Sequence, residues 1–437
     1  MTTTKKVFWG LGVCALFIIV SSESVLAAPG NTVAIGATHG CAVVEKGKVS
    51  CWGLNKYAQL GNGSSESSNV PVEVKGVTGA VAVVVGGVGG VSCALIAPKP
   101  EKNILGQDIK KTGYDLNCWG SNNKGMSGGD GTYNGVRTPH LVPIWDFVYK
   151  TDKKGQIVKE KIKGKWQSVI VEKIGVEELV IGYERMVARM SNGKVKTWGD
   201  NNNGILGWRG GNSFLGVVSG FQGAVSIAAS GFSCAVLKNG SAWCLGNNAY
   251  GALGLGDTKV RYTAEKVKDL EGAKQIVAAG FSTCALLSDG SVKCWGNNSS
   301  GELGIGSLVS QLTPVAVQGL KGKVTRLAAG GAHVCALMED NTAQCWGQNN
   351  LGQIGDGTGG KGGTLSKPAP TEPKDLGKVR EIAAGGGSVC AVKENKETVC
   401  WGDNSYGQLG DGNGLVPDPI NKGKFKQVIN LAPVKVK

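Results

Sequence analysis

One stretch of sequence decides the fold: Cys284-Ala-Leu-Leu-Ser-Asp-Gly-Ser-Val-Lys-Cys294, followed by Trp295-Gly296-Asn297-Asn298. Two short runs of β-type residues flank Ser288-Asp289-Gly290, a three-residue loop with Gly at the position that requires a positive φ. This pattern predicts a β-hairpin in which Cys284 and Cys294 lie opposite each other.

The same phrase recurs along the chain. Cysteines ten positions apart occur in five copies, and a sixth copy has a longer middle; these pairs are Cys41 and Cys51, Cys234 and Cys244, Cys284 and Cys294, Cys335 and Cys345, Cys390 and Cys400, and the longer Cys93 and Cys118. A seventh copy has Val187 and Thr197 at the two Cys positions. Most copies follow each other at about 47–55 residues, which is typical of a repeat protein.

Each repeat reads as about four short strands. In one copy, Val277 to Gly280, the two arms of the hairpin, and Thr313 to Val317 are β-type runs separated by Gly- and Asn-rich loops. Four-stranded units repeated around an axis form a β-propeller, and a β-solenoid is the less favoured alternative. The predicted repeats are roughly 31–79, 80–175, 176–222, 223–272, 273–322, 323–377 and 378–437.

Two further phrases carry a family resemblance. The stretches Ala328-Ala-Gly-Gly-Ala-His333 and Trp401-Gly-Asp-Asn-Ser-Tyr-Gly-Gln-Leu-Gly410 resemble the regulator-of-chromosome-condensation repeat. That resemblance implies an all-β, seven-bladed propeller of four-stranded blades. It also implies two functions, nucleotide exchange on a small GTPase and, in secreted members, inhibition of β-lactamases through one face of the ring.

The paired cysteines are interpreted as disulfides within single blades. Opposed residues at a non-hydrogen-bonded pair of a hairpin lie close enough to bridge. The third repeat has lost both partners together, as expected if the two side chains depend on each other. Zinc and redox sites are less favoured because the chain contains no Cys-x-x-Cys motif. Intracellular members of the family do not carry these pairs.

The first 27 residues predict a signal peptide. Lys5 and Lys6 precede an apolar run from Val7 to Val20, and a small-residue pattern ends at Ala27, the expected cleavage site. Removal of this segment takes away Cys14, leaving 12 of the 13 cysteines, and lowers the net charge from +14 to +13. We therefore expect a secreted, periplasmic or cell-surface protein with residues 28–437 as one propeller and no membrane span.

Composition excludes other classes of protein. The chain is 41% hydrophobic and 18% charged, which is too apolar for a disordered chain, and its 71 glycines disfavour long helices.

Ser127 in Gly125-Met-Ser-Gly-Gly129 lies in a repeat loop and not on a nucleophile elbow. His39 and His333 occupy repeat positions. We therefore predict no catalytic residue, no cofactor and no metal, and the chain is read as a non-enzymatic protein.

The second repeat breaks the symmetry. It carries two insertions, at residues 97–116 and 137–175. The second is rich in lysine and aromatic residues; its candidate binding residues are Lys150, Lys153, Lys154, Lys159, Lys161, Lys163, Lys165 and Trp166. Loops on a rigid scaffold often bind partners. We expect a monomeric protein-binding scaffold with an acidic protein partner, and nucleic acid is the less favoured partner.

Overall fold

The molecule is built almost entirely from β-strands, which confirms the predicted fold class. The computed structural model describes residues 32–86, 90–122, 125–127, 136–162, 165–201, 215–360, 362–418 and 425–437. The predicted signal sequence, residues 1–27, lies outside these ranges. A 3-10 turn lies at Glu45–Gly47. Within the same ranges, no helix is long and apolar enough to span a membrane.

Seven four-stranded antiparallel sheets are found among the described residues. The first contains β1 (Val33–Ile35), β2 (His39–Val43), β3 (Val49–Gly53) and β4 (Ser68–Glu73), and the second contains β5 (Ala80–Val85), β6 (Val91–Ile96), β8 (Asp115–Gly120) and β9 (Val136–Leu141). The third contains β14 (Val176–Ile181), β15 (Arg185–Met190), β16 (Val195–Gly199) and β17 (Gly216–Val217), and the fourth contains β18 (Ala224–Ala229), β19 (Phe232–Leu237), β20 (Ala242–Gly246) and β21 (Arg261–Lys266).

The remaining three sheets follow the same order. The fifth contains β22 (Ala273–Ala279), β23 (Ser282–Leu287), β24 (Val292–Gly296) and β25 (Gln311–Ala316), and the sixth contains β26 (Val324–Ala329), β27 (His333–Met338), β28 (Ala343–Gln348) and β29 (Ser366–Thr371). The seventh contains β30 (Val379–Gly385), β31 (Ser388–Lys393), β32 (Thr398–Asp403) and β33 (Ile429–Lys435). Inner strands of successive sheets pack together, and β1 packs against β30, so the sheets form a closed ring.

The turn between β23 and β24 shows why the repeat phrase forms a hairpin. The Asp289 carboxylate accepts hydrogen bonds from the Ser291 N–H at 2.9 Å and from the Ser291 hydroxyl at 2.7 Å. Gly290 adopts φ +88°, a conformation that side-chain-bearing residues rarely take. The turn therefore sets the register of the two strands, and Cys284 pairs directly with Cys294.

Six disulfides join the second and third strands of six sheets. They are Cys41–Cys51, Cys93–Cys118, Cys234–Cys244, Cys284–Cys294, Cys335–Cys345 and Cys390–Cys400, the same pairs that the sequence predicts. Their Cα atoms lie 4.0–4.1 Å apart. In the third sheet, Val187 pairs with Thr197 at the equivalent register, and both side chains are fully buried.

The repeat tryptophans connect each sheet to the one before it. Six indole Nε1–H groups donate to a backbone carbonyl of the preceding sheet's outer loop: Trp52 to Gln408, Trp119 to Gln59, Trp198 to Met126, Trp295 to Ala252, Trp346 to Glu302 and Trp401 to Gln353, at 2.7–3.0 Å. A Cβ at Gly410 would lie 2.9 Å from Cδ1 of Trp52, and Gly410 has φ +68°. The Leu-Gly pair of the repeat therefore makes room for the neighbouring tryptophan.

A belt of polar side chains ties the inner strands together around the central channel. A side chain on one inner strand accepts a hydrogen bond from a backbone N–H of the next: Ser226 from Ile276 at 3.2 Å, Gln275 from Leu327 at 2.8 Å, and Glu381 from Val33 at 3.1 Å. Inner strands are edge strands, so their channel-side N–H groups have no ladder partner. The belt satisfies these groups and joins the seventh sheet to the first.

Candidate functional site

The antiparallel order of each sheet gives the ring two different ends. Second-to-third-strand turns, such as that at Asp289-Gly290, and the connections between sheets lie at one end, which we call the hairpin end. First-to-second-strand loops, such as Gly280-Phe281, lie at the other, which we call the mouth end. Residues 97–114 connect β6 to β8, and residues 142–175 connect β9 to β14. Both insertions therefore leave the ring at the hairpin end.

The two insertions form one unit, which we call the insertion module (residues 97–114 and 142–175). Strand β7 (Lys110–Thr112) of the first insertion pairs in parallel with β13 (Ile170–Ile174) of the second, and β10 (Asp146–Tyr149) pairs antiparallel with the other edge of β13. Strands β11 (Lys159–Ile162) and β12 (Lys165–Ser168) form a separate hairpin.

The insertion boundaries differ from the predicted ones by a few residues. Residues 137–141 lie in β9, the fourth strand of the second sheet, and Leu116 lies in β8, where it is 1% exposed. Strand β9 was not predicted from the sequence, because the loop before it differs in length from the equivalent loops of the other repeats. The first insertion therefore ends before Asp115, and the second begins after Leu141.

The module is anchored on the propeller core. Val142 and Ile144 are buried and pack in the same hydrophobic cluster as Met190 of the third sheet. The Trp145 indole N–H donates to the Asp115 carboxylate at 3.0 Å. The module is therefore held on a packed scaffold, as expected of a binding surface that must be presented in one orientation.

Three of the six acidic side chains in the module pair with basic groups outside the candidate set. Glu101 contacts Lys111 and Lys173 at 3.0 and 2.6 Å, and their hydrogen bonds lower its pKa. Glu172 contacts Lys110 at 3.1 Å, and Asp146 contacts Lys196 of the third sheet at 2.7 Å; Asp152 accepts backbone N–H groups of its own turn, from Lys154 and Gln156 at 2.8 and 2.9 Å. The module carries 12 lysines against six acidic residues, so its net charge is positive.

The candidate lysines are exposed and form no ion pair with any described residue. Six of them, Lys150, Lys153, Lys154, Lys159, Lys161 and Lys165, are described. Lys163 lies outside the described residues. Trp166 is 68% exposed and lies directly opposite Lys161 in the β11–β12 hairpin. The structure therefore places an exposed indole among unpaired cations, at the hairpin end of the ring.

The mouth end carries a second surface. A cavity of about 530 Å³ opens there at the top of the channel, with small apolar walls such as Ala278 and Ala329 and a polar floor that includes Arg326. Tyr183, 62% exposed, and Phe281, 44% exposed, stand on its rim, and the Phe281 ring lies 5.1 Å from that of Tyr250. This cavity was not predicted from the sequence, because it is formed by side chains from the inner strands of all seven sheets.

The repeat seen in the fold matches a known sequence family. Two models of the Regulator of chromosome condensation (RCC1) repeat match the chain, one at residues 46–94 and 289–337 and the other at residues 32–59, 176–205, 273–302, 324–353 and 379–408. The chain belongs to the RCC1 repeat family.

Several RCC1-repeat proteins are similar to this chain. The ultraviolet-B receptor UVR8 of Arabidopsis thaliana is 26% identical over 405 residues, which is 90% of this chain and 82% of UVR8. The E3 ubiquitin-protein ligase HERC2 of Homo sapiens is 29% identical over 248 residues, which is 55% of this chain but 4% of HERC2. The structure of Prp20p from Saccharomyces cerevisiae matches with a TM-score of 0.66 at 20% identity, covering 93% of this chain and 88% of Prp20p. That structural likeness shows the fold alone.

One RCC1 repeat of this chain differs at a buried position of the outer loop. The residue before Leu or Ile is Gln59, Gln353 and Gln408 in three repeats but Glu302 in the fifth. Glu302 accepts a hydrogen bond from the Ser300 N–H at 2.8 Å, as the glutamines do from the equivalent N–H groups. Burial raises the pKa of Glu302 more than the hydrogen bonds from Ser300 and from Asn297 lower it.

We expect Glu302→Gln to stabilise the propeller at neutral pH by about 1 kcal/mol, a typical gain for a satisfied buried hydrogen bond. The pKa of Glu302 is higher in the folded chain than in the unfolded chain. The protonated Glu302 carboxyl group therefore makes its full contribution to stability below the unfolded-state pKa, and this contribution is lost as the pH rises through the folded-state pKa. The gain should therefore vanish at acid pH. Thermal unfolding of both proteins across the acid-to-neutral range measures it.

The matched control is Gln353→Glu, which should destabilise the sixth sheet at neutral pH and not at acid pH. Equal unfolding temperatures for the native chain and Glu302→Gln at every pH would show that the buried carboxyl carries no penalty.

The remaining candidate residues are held in structural contacts. The Ser127 hydroxyl is buried and donates to Asn122 Oδ1 at 2.7 Å, so it faces an amide and no general base. His39 Nε2 lies 2.8 Å from the Ser92 hydroxyl, and burial lowers the pKa of both His39 and His333 to about 4. In the part of the chain that the structure describes, no cluster of three or more His, Cys, Asp or Glu side chains could hold a metal ion.

Proposed function

We propose that this chain is an exported, non-enzymatic scaffold that binds an acidic protein through the insertion module. One observation carries the proposal: six exposed lysines without an ion pair among the described residues share the insertion module with Trp166, which is 68% exposed and lies opposite Lys161, on a packed propeller. Electrostatic complementarity with an acidic partner would speed association and select that partner, while the exposed indole would supply contact area.

The disulfides support an exported site of action. Six disulfides suit an oxidising compartment, because cytosolic thiols are kept reduced. The predicted signal sequence, cleaved after Ala27, fits the same compartment. A secreted, periplasmic or cell-surface location is therefore part of the proposal.

A matched pair of lysine variants tests the site. The module variant replaces Lys150, Lys153, Lys154, Lys159, Lys161 and Lys165 with Gln. The control variant replaces six other exposed lysines, Lys46, Lys75, Lys238, Lys268, Lys274 and Lys323, with Gln. Because both lose the same charge, any difference between them reports on position and not on net charge.

We expect the native chain and the control variant to bind poly-L-glutamate with similar affinity and the module variant to bind at least about tenfold more weakly, because a local field steers the acidic chain. Titration calorimetry at about 50 mM and 300 mM salt measures this, with screening expected at the higher salt. Equal loss in both variants would contradict a localised site.

The mouth end supports one alternative, an inhibitor of an exported enzyme of the β-lactamase-inhibitor kind. The observation that favours it is the exposed aromatic rim at Tyr183 and Phe281 around an apolar cavity. Exposed aromatic side chains are typical of interface hot spots. Inhibition would then be lost in Tyr183→Ala with Phe281→Ala and kept in the module variant.

The other alternative is nucleotide exchange on a small GTPase in a host cell. Prp20p has binding properties toward Gsp1p and histones, and those properties belong to Prp20p. For this chain, accelerated nucleotide release from a small GTPase by the oxidised protein would favour exchange over the scaffold function. The buried disulfides favour the exported scaffold.

A further inference from the structure

The exposed face of the β11–β12 hairpin has a definite pattern. From Ile157 to Ile162, exposed and half-buried residues alternate, so that Ile157, Lys159 and Lys161 face solvent while the residues between them face the module. In the hairpin register Lys161 lies opposite Trp166. Directly opposite residues of an antiparallel pair share one face, so Trp166 lies on the solvent face too.

These four side chains form a short strip, which we call the hairpin strip (Ile157, Lys159, Lys161 and Trp166). At about 3.3 Å per residue, the strip is about 13 Å long from Ile157 to Lys161. Its order is apolar, cationic, cationic, with the indole beside the second lysine. Ile157 is 48% exposed and Trp166 is 68% exposed, so apolar surface lies at one end of the two charges and beside the second of them.

The charges of the strip are free within the described residues. Lys159 and Lys161 have no ion pair or side-chain hydrogen bond to any described residue. The acidic residue of the same hairpin, Glu160, alternates with them, lies on the half-buried face and pairs with Gln167 in the register. The strip therefore presents two cations and no anion of its own hairpin.

We propose that the hairpin strip docks an extended segment of the partner that carries two acidic side chains two residues apart, with an apolar side chain two residues away from one of them. This inference rests on the proposed function and names the partner's chemistry. An extended segment repeats its side chains on one face about every 6.6 Å, the spacing of Lys159 and Lys161, so both acidic groups meet a lysine in one register. The flanking apolar side chain then covers Ile157, and the Trp166 indole lies beside the second pair of charges.

The strip fits a protein segment better than the other polyanions. Nucleic-acid binding gains affinity from many phosphate contacts, about 6–10 in a typical site, whereas the strip offers two lysines next to apolar groups. An anionic lipid surface would attract all the module lysines alike, since its charge is spread over the membrane. The alternation of charge and apolar surface therefore favours a polypeptide of matching pattern.

The test uses a peptide with a symmetric pattern, Leu-Thr-Glu-Thr-Glu-Thr-Leu, which presents the same side chains in either direction. The comparison peptide, Leu-Glu-Glu-Thr-Thr-Thr-Leu, has the same composition with adjacent glutamates. Fluorescence anisotropy of labelled peptides measures binding to the full chain at about 50 mM salt, where charge pairs are weakly screened. We expect the symmetric peptide to bind at least about fivefold more tightly than the comparison peptide. The symmetric peptide has a register in which both glutamates face a lysine, whereas adjacent glutamates of an extended peptide point to opposite faces.

Two charge-matched variants locate the site. Lys159→Glu with Lys161→Glu should lose at least about tenfold in affinity, because it places like charges opposite the peptide. Lys153→Glu with Lys154→Glu makes the same change of charge on the neighbouring turn. This variant should lose less than about threefold in peptide affinity, because it changes only the long-range electrostatic potential around the strip. All four lysines are exposed, so both variants should fold alike, which thermal unfolding checks.

A charge swap completes the test. The peptide Leu-Thr-Lys-Thr-Lys-Thr-Leu should bind the Lys159→Glu, Lys161→Glu chain and not the native chain. Equal binding of both glutamate peptides, or equal loss in the two variants, would overturn the strip while leaving the module as an acidic-protein site. If the module variant and the control variant lost poly-L-glutamate affinity equally, that result would instead overturn the proposed function. Tighter, variant-sensitive binding to phosphatidylglycerol vesicles or duplex DNA would overturn a polypeptide partner.

Discussion

The chain kept reduced after unfolding in guanidinium is expected to remain unfolded when the denaturant is removed, whereas the oxidised chain should refold. Each disulfide closes a short loop and contributes about 2–3 kcal/mol by restricting the unfolded chain. Six of them contribute on the order of 15 kcal/mol, which is comparable with the entire stability of a typical domain. Tryptophan fluorescence and circular dichroism, with and without reductant throughout, measure the recovery.

Reductant added to the folded protein should act slowly. The twelve disulfide-bonded cysteines are at most 1% exposed, so the reductant reaches them only when a sheet opens. Rapid appearance of free thiols in the folded state, or full refolding of the reduced chain, would show that the disulfides do not determine stability.

Loop length provides an internal control for this prediction. Cys93 and Cys118 are 25 positions apart, and Cys284 and Cys294 are 10 apart. Replacing the first pair with alanine should cost about 0.8 kcal/mol more than replacing the second pair, from the loop-length dependence of chain entropy. Equal costs would show that packing around the sulfurs, and not chain entropy, dominates.

Glu381→Ala is expected to lower the free energy of unfolding by about 1–3 kcal/mol, the usual cost of leaving a buried hydrogen-bond donor without its acceptor. Glu381 is 5% exposed and accepts the Thr32 hydroxyl at 2.6 Å and the Val33 N–H at 3.1 Å. Its charge also attracts Arg326, whose pKa is lowered mainly by burial. Guanidinium unfolding followed by circular dichroism measures the loss.

The size of this effect follows from the topology. Each of the seven four-stranded sheets described is made of strands from one repeat, so no strand is exchanged between the first and seventh sheets. Side-chain and loop contacts close the ring, among them Glu381 with Val33 and the Trp52 indole with the Gln408 carbonyl at 2.7 Å. Removing Glu381 leaves the edge N–H of Val33 without its acceptor and takes away a negative charge that attracts Arg326.

Two further variants separate charge from position. Glu381→Gln keeps a carbonyl for the Val33 N–H and should lose less stability than Glu381→Ala. Glu339→Ala removes an exposed carboxylate of the sixth sheet and should change stability by less than about 0.5 kcal/mol, as is usual for surface sites. A Glu381→Ala chain as stable as Glu339→Ala would show that the belt does not hold the ring together.

The repeating hairpin was predictable from sequence because its interactions are local. Cys284 and Cys294 are ten positions apart, and the turn at Asp289 and Gly290 fixes their register. The all-β fold and the cysteine pairing follow from this one phrase repeated in phase. The third repeat has Val187 and Thr197 in place of both cysteines, and this joint replacement also indicated that the two positions pair.

The candidate site was only partly predictable. Sequence located the lysine-rich insertion and Trp166 by their departure from the repeat. It did not show that Glu101 pairs with Lys173, 72 positions away, or that β7 pairs with β13 in parallel. Such contacts join segments that are distant in the chain, and neither composition nor spacing encodes their register.

The amino-acid sequence by itself determined the repeating four-stranded unit, its disulfide-forming pairs and the place where one repeat is enlarged, because each depends on neighbours within one hairpin or one repeat. Only the tertiary structure decided which lysines remain unpaired, which face of the β11–β12 hairpin reaches solvent, and how Glu381 joins the last sheet to the first. Those features depend on through-space distances between segments that the chain brings together only when the ring closes.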